Sequence, residues 1–145
     1  MNFPKHYKSS TADSEVYSLG TPYVASEQLQ YTVLLIDDSE VDRKTYQRFA
    51  GKSEFATFSF IEGECGETGL ALCQAHRPDL ILLDYMLPDL DGLEFLQALR
   101  QTINPMPPVI MLTGEGNEKV AVEAMKNGAR DYLVKGDLSA QSLSQ

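Results

Sequence analysis

VLLIDDSE (33–40) sets four apolar residues against two adjacent carboxylates and then a serine. A run that is apolar on both faces reads as a strand buried between layers, and the charged pair marks where that strand surfaces. Like charges this close raise each other's pKa values or recruit a cation, so Asp37 beside Asp38 costs stability unless something uses the pair. An isolated Asp-Asp would be read as a solvated strand end or a helix cap. The rest of the sequence decides between these readings.

Short, mostly apolar runs return four times, in TFSFI (57–61), DLILLD (79–84), PVIMLT (108–113) and DYLV (131–134), with YTVLLI (31–36) as the first of the series, and several are apolar on both faces. Each is short enough for a strand. Helical patterns lie between them. Ser39 followed by Asp42 resembles a capping box, and Val41, Thr45, Arg48 and Phe49 then keep helical spacing. ETGLALCQAHR (67–77) is a second helix, ended by Pro78. Asp91 with Glu94 caps GLEFLQALRQT (92–102), in which Leu96, Leu99 and Ile103 form one stripe, and Pro105, Pro107 and Pro108 close it. Asn117 caps EKVAVEAMKNG (118–128), with Ala121, Ala124, Met125 and Gly128 on one face before Gly128 permits a left-handed exit. Strand and helix alternate from 31 to 135 with short connections. That order predicts right-handed crossovers and an α/β fold, a doubly wound five-stranded parallel sheet. Ligands of such sheets bind at the carboxyl ends of the strands.

Composition narrows the function. A chain of 145 residues with 43% hydrophobic content fits one domain with a real core. A net charge of −9 and a pI near 4.6 argue against direct binding of nucleic acid or an anionic membrane. No apolar run reaches membrane-spanning length and the N-terminus lacks a secretory apolar core, which predicts a cytoplasmic location. Cys65 and Cys73 belong to no CxxC pair or Cys/His cluster and are read as reduced packing residues. His6 and His76 lack partners in the pattern and receive no catalytic role. Residues 1–30 read as an irregular leader or linker, with a short helix near ASEQLQ (25–30), ahead of a domain at 31–145.

The polar residues at the strand ends carry the chemistry. The first strand delivers Asp37 and Asp38, the third Asp84, the fourth Thr113 and the fifth Lys135. Three converging carboxylates make a hard, oxygen-rich site suited to Mg²⁺ or Mn²⁺. Magnesium usually keeps waters and shares phosphate oxygens, so such a site invites a phosphoryl group. The Lys135 ammonium can neutralise phosphoryl oxygens and the Thr113 hydroxyl can donate to one. Asp84 remains as the nucleophile, able to take a phosphoryl group as an aspartyl phosphate.

LLIDDSE, LILLDYMLPDLDG, VIMLTG and DYLVKG together resemble the receiver domain of two-component response regulators and hybrid histidine kinases, across about residues 31–138. The resemblance implies a flavodoxin-like receiver fold with Asp84 as phosphoacceptor. It implies Asp38 and Asp84 as direct metal ligands, Asp37 acting on metal water, and Met86 adding its backbone carbonyl. Thr113 matches the switch hydroxyl, Lys135 the phosphate-binding lysine, and Tyr132 the aromatic that turns inward when the hydroxyl moves. Gly114 matches the small residue that admits the donor, while Met86 and Glu115 flank the site. The implied partner is a histidine kinase or a histidine phosphotransfer protein, and phosphorylation shifts a pre-existing equilibrium. The implied activity is signalling, assisted by the domain's own phosphoryl transfer and dephosphorylation, rather than enzymatic turnover of a substrate.

Two departures bear on that expectation. Gly136 stands where the family often has proline, so no cis peptide is expected after Lys135, since a non-proline cis bond costs roughly 3 kcal/mol. GDLSAQSLSQ (136–145) supplies only the start of a last helix. A truncated last helix leaves one flank of the sheet partly uncovered, to be explained by an excised piece, the favoured reading, or by filling from residues 1–30 or from another subunit; self-association or reduced stability is expected. A pseudo-receiver that binds partners without phosphorylation is the alternative, ranked second because every acceptor-site residue is present. A haloacid dehalogenase-type phosphatase would need Asp-x-Asp on the first strand, which Asp37-Asp38 does not provide. DLDG (89–92) and GEGNEK (114–119) fail the spacing of a calcium loop and of a dinucleotide fingerprint.

Overall fold

The computed structural model describes residues 29–138. In chain order the elements are β1 (Leu29–Ile36), α1 (Glu40–Ala50), β2 (Ala56–Gly63), α2 (Gly66–His76), β3 (Leu80–Asp84), α3 (Gly92–Thr102), β4 (Val109–Thr113), α4 (Glu118–Lys126) and β5 (Asp131–Val134), followed by a 3₁₀ turn at Lys135–Asp137. The five strands pair in the order β2-β1-β3-β4-β5, all parallel. The chain steps from β1 outward to β2 and then back past β1 to β3, so helices cover both faces; the central strands β3 and β4 are apolar on both sides, while the edge strand β2 alternates. Burial of all five β4 residues follows.

Two apolar layers result. On one face Leu34, Ile36, Ile81, Leu83, Val109 and Met111 meet Phe95, Leu96 and Leu99 of α3, Cys73 of α2 and Ala124 of α4. On the other, Val33, Leu35, Leu82, Ile110 and Leu112 meet Tyr46 of α1, with Phe49, Phe58, Phe60, Leu133 and Leu138 partly buried around them. Helix α2 lies unusually close to the sheet. A Cβ at Gly69 would stand 2.7 Å from Ile36 Cδ1, and Gly63 faces Gly69 across the same contact.

The caps explain where helices start and stop. Asp91 and Glu94 form the expected reciprocal capping box of α3, and the Asn117 side chain accepts from Lys119 N and Val120 N at the start of α4. Gly128, with φ of 102°, makes the left-handed exit that a side chain would resist. At α1 only half of the anticipated box forms. Ser39 accepts from Asp42 N, but the Asp42 carboxylate turns away to Lys135.

Four expectations need correction. The inward face of α1 is Arg43 and Tyr46, not Val41 and Arg48, which are exposed; polar-headed side chains fill positions that an apolar stripe would claim. Met125 is exposed on α4, where Ala124 alone is buried, because the short helix touches the core through one narrow strip. Strand β1 begins at Leu29, where a short helix was expected, because Leu29–Thr32 pair with Ala56–Ser59 of β2. Cys73 packs in the core as expected, but Cys65 is only partly covered and caps α2 in position, its thiol donating to Thr68 Oγ1 at 3.2 Å. The rest of the ASEQLQ stretch, the leader before it and the last-helix residues after Leu138 lie outside the described residues. Among the described residues no helix is long and apolar enough to cross a membrane.

Candidate functional site

The parallel strands end together, and their register brings the polar residues to one edge. Ile36 pairs with Leu83, Asp84 with Leu112 and Thr113 with Val134, so the residues just beyond these pairs share a crevice. There one carboxylate oxygen from each of Asp37, Asp38 and Asp84 lies within 4.8 Å of the others. Asp37 and Asp84 are buried, and Asp38 opens to solvent.

Asp37 is held at several points. Its Oδ1 accepts from Ser39 N at 2.9 Å, and its Oδ2 accepts from Tyr46 Oη at 2.9 Å and from Lys135 Nζ at 3.0 Å. Its main-chain carbonyl accepts from Arg43 Nη1 at 2.6 Å, while Arg43 Nε donates to Glu62 Oε1 at 2.7 Å. The Glu62 partner raises the Arg43 guanidinium pKa, and the Arg43 donor holds the Glu62 carboxyl below its ordinary value. Burial, reinforced by the charge of Asp37, raises the Tyr46 phenol, so the hydroxyl stays a donor.

Asp84 differs from the others. Burial first and the Asp37 charge second push its carboxyl up to about 6, against the opposing pull of Lys135 and of the Met86 backbone N–H. The Lys135 ammonium lies 3.4 Å from Asp84 Oδ1, and closer to Asp37 and Asp42, at 3.0 and 2.8 Å. Burial would lower the Lys135 pKa, but the hydrogen bonds to Asp42 and Asp37 outweigh it and the net shift is upward.

The other anticipated residues border the crevice. Thr113 is buried, and its hydroxyl donates to the Glu115 carbonyl at 3.0 Å, inside the β4–α4 loop. The half-buried Tyr132 packs against the core, and its hydroxyl accepts from Asn117 N at 3.2 Å. A Cβ at Gly114 would meet nothing within 4 Å, so open space surrounds that position. The Met86 side chain is exposed. His76 is exposed at the end of α2.

Sequence reasoning missed Asp42, Arg43 and Tyr46 as parts of this site, and Asp89 beside it. The Asp89 carboxylate accepts from Gly66 N at 2.8 Å and Glu67 N at 2.9 Å, which ties the β3–α3 loop to the start of α2 and lowers the Asp89 pKa. The signal for Arg43 and Tyr46 was present as two amphipathic side chains three apart on one helical face.

The comparisons with known proteins identify the family and the fold. The family model of the response regulator receiver domain matches residues 33–143, and the chain belongs to that family. The phosphate regulon transcriptional regulatory protein PhoB of Pseudomonas aeruginosa PAO1 is 35% identical over 105 residues, which cover 72% of this chain and 44% of that protein. The transcriptional regulatory protein SrrA of Staphylococcus aureus is 34% identical over 103 residues, 71% of this chain and 41% of that one. The match thus spans less than half the length of either relative. Among solved structures, the signal receiver domain of NarL from Mycobacterium tuberculosis superposes with a TM-score of 0.70 at 26% identity, covering 79% of this chain and 90% of that one. The Mn²⁺-bound form of the response regulator Rcp1 gives 0.67 at 28% identity, covering 79% and 87%. The chain is therefore a receiver domain of the two-component class, with the expected five-stranded parallel fold.

Proposed function

We propose that the chain accepts a phosphoryl group on Asp84 from a partner phosphohistidine, carried by a histidine kinase or a histidine phosphotransfer protein, on the cytoplasmic side of the membrane. The observation that carries this reading is the convergence of Asp37, Asp38 and Asp84 within 4.8 Å, with the Lys135 ammonium 3.4 Å from Asp84. The donor set is all oxygen, and the Asp84 carboxyl is driven upward first by burial and then by the negative charge of Asp37. A divalent cation fits both features, and Asp37, Asp38, Asp84 and the Met86 carbonyl would hold it as Mg²⁺ or Mn²⁺. When bound it offsets the repulsion between an anionic nucleophile and an anionic donor.

The protein's own residues do the rest. Asp84 attacks phosphorus and the donor imidazole leaves with the electron pair of the broken P–N bond. Lys135 is already beside Asp84 and neutralises charge gathering on the phosphoryl oxygens. The Thr113 hydroxyl, now spent on the Glu115 carbonyl, exchanges that acceptor for a phosphoryl oxygen. Its departure frees the β4–α4 loop, and Tyr132 follows, changing the surface that a partner meets. Hydrolysis of the acyl phosphate by the domain itself would reset the signal.

Intact-mass measurement after incubation with Mg²⁺ and acetyl phosphate tests the reading. A phosphoryl adduct on the native chain, absent without metal and absent from Asp84→Asn, is the expected result. No adduct on a folded chain would overturn it and favour a pseudo-receiver that binds partners without phosphorylation.

A further inference from the structure

The Lys135 ammonium has three donors, and three carboxylates surround it: Asp42 Oδ2 at 2.8 Å, Asp37 Oδ2 at 3.0 Å and Asp84 Oδ1 at 3.4 Å. The shortest contact is to a residue outside the acidic triad, in the first turn of α1. Asp42 forgoes its place in a reciprocal cap and pairs across the crevice with the turn that follows β5, 93 residues away in sequence. A carboxylate at the N-terminus of a helix has an ordinary use in offsetting the helix dipole, but that use does not require an ammonium partner.

We propose that Asp42 is a positioning residue that acts through Lys135, holding its ammonium on the α1 side of the crevice and so biasing the site toward the unphosphorylated state. The inference rests on Asp84 being the phosphoacceptor. A phosphoryl oxygen must draw Lys135 toward Asp84, and Asp42 competes for the same charge. Asp42 also adds a negative charge beside an incoming anion. Both effects oppose the phosphoryl group, while the same negative charge favours a cation. Asp42 therefore has opposite consequences for the two ligands, a pattern that a purely structural role would not give.

The test compares the full chain with Asp42→Asn and Asp42→Glu, using Mg²⁺ alone and then fluoroberyllate, a phosphoryl mimic, at saturating Mg²⁺. Binding is read from the backbone amide resonances of Thr113 and Gly114. With Asp42 partly open to solvent, Asp42→Asn is expected to bind fluoroberyllate roughly threefold tighter or more, and Mg²⁺ more weakly. Asp42→Glu restores the native values. Equal or weaker fluoroberyllate binding by Asp42→Asn, with a native chain that binds it, overturns the role of Asp42 and leaves Asp84 as acceptor. A change of both ligands in one direction also overturns it. A native chain that binds Mg²⁺ but not fluoroberyllate removes the acceptor reading and this inference with it.

Discussion

The Arg43 guanidinium donates to the main-chain carbonyl of Asp37 at 2.6 Å, fastening α1 to the strand end from which it departs. That carbonyl lies where β1 has ended, and a helix side chain takes the role a neighbouring strand would otherwise play. Because Arg43 is buried, its loss takes the side-chain donor from the Asp37 carbonyl, while the exposed Glu62 keeps Lys44 as a partner. Arg43→Leu is expected to lower stability by about 1–3 kcal/mol in urea denaturation. Arg43→Lys should recover only part, since an ammonium cannot span both acceptors as the planar fork does.

Asp84→Asn should stabilise the metal-free protein. The folded carboxyl titrates near 6 against an ordinary value of 3.8, so between these values the folded state holds a proton that the unfolded chain has lost. Native stability therefore falls as pH rises through that window and is level above it. The neutral amide escapes this loss, and Lys135 keeps Asp37 and Asp42. In the presence of a chelator the gain over the native chain should approach about 1–3 kcal/mol at pH 8 and vanish below pH ~4. Denaturation at several pH values measures it.

Asp89 predicts the opposite slope. Its carboxyl is held below the ordinary value by the backbone N–H groups of Gly66 and Glu67, so its contribution is complete above the unfolded pKa and disappears as pH falls through the lowered one. Asp89→Ala should cost about 1 kcal/mol at neutral pH, as loss of a helix cap does, and much less in acid. Thermal melting of both chains at pH 7 and in acid checks this.

Tyr132→Phe removes the acceptor for Asn117 N and leaves the ring in its packing. The expected outcome is faster hydrogen exchange at the Asn117 amide with little change in global stability. Unchanged exchange there would show that the hydroxyl does not tether the loop.

The strands were legible because buried parallel strands must be apolar on both faces, and VLLI (33–36), LILL (80–83) and VIML (109–112) are too short for helices and alternate with helical patterns. Asp37, Asp38, Asp84, Thr113 and Lys135 were legible for a related reason, since strand ends of such a sheet share one edge. The network around Asp37 was not. Arg43 and Tyr46 are inward-facing residues with polar heads, and a hydrophobic stripe drawn through α1 passes them by. The Asp42–Lys135 contact joins residues 93 positions apart, and local pattern cannot see such a pair. The apparent box of Ser39 and Asp42 even offered Asp42 a local use that the folded chain declines.

The close seating of Gly69 on Ile36 matters for how variants of this domain are interpreted. Ile36 is the residue before the acidic pair, so bulk added at Gly69 presses on the backbone that carries Asp37 and Asp38. A mutational scan scored by phosphorylation alone would then list an apolar helix position as part of the chemistry. Scoring abundance and phosphorylation together would separate such indirect hits from residues whose own atoms meet the phosphoryl group.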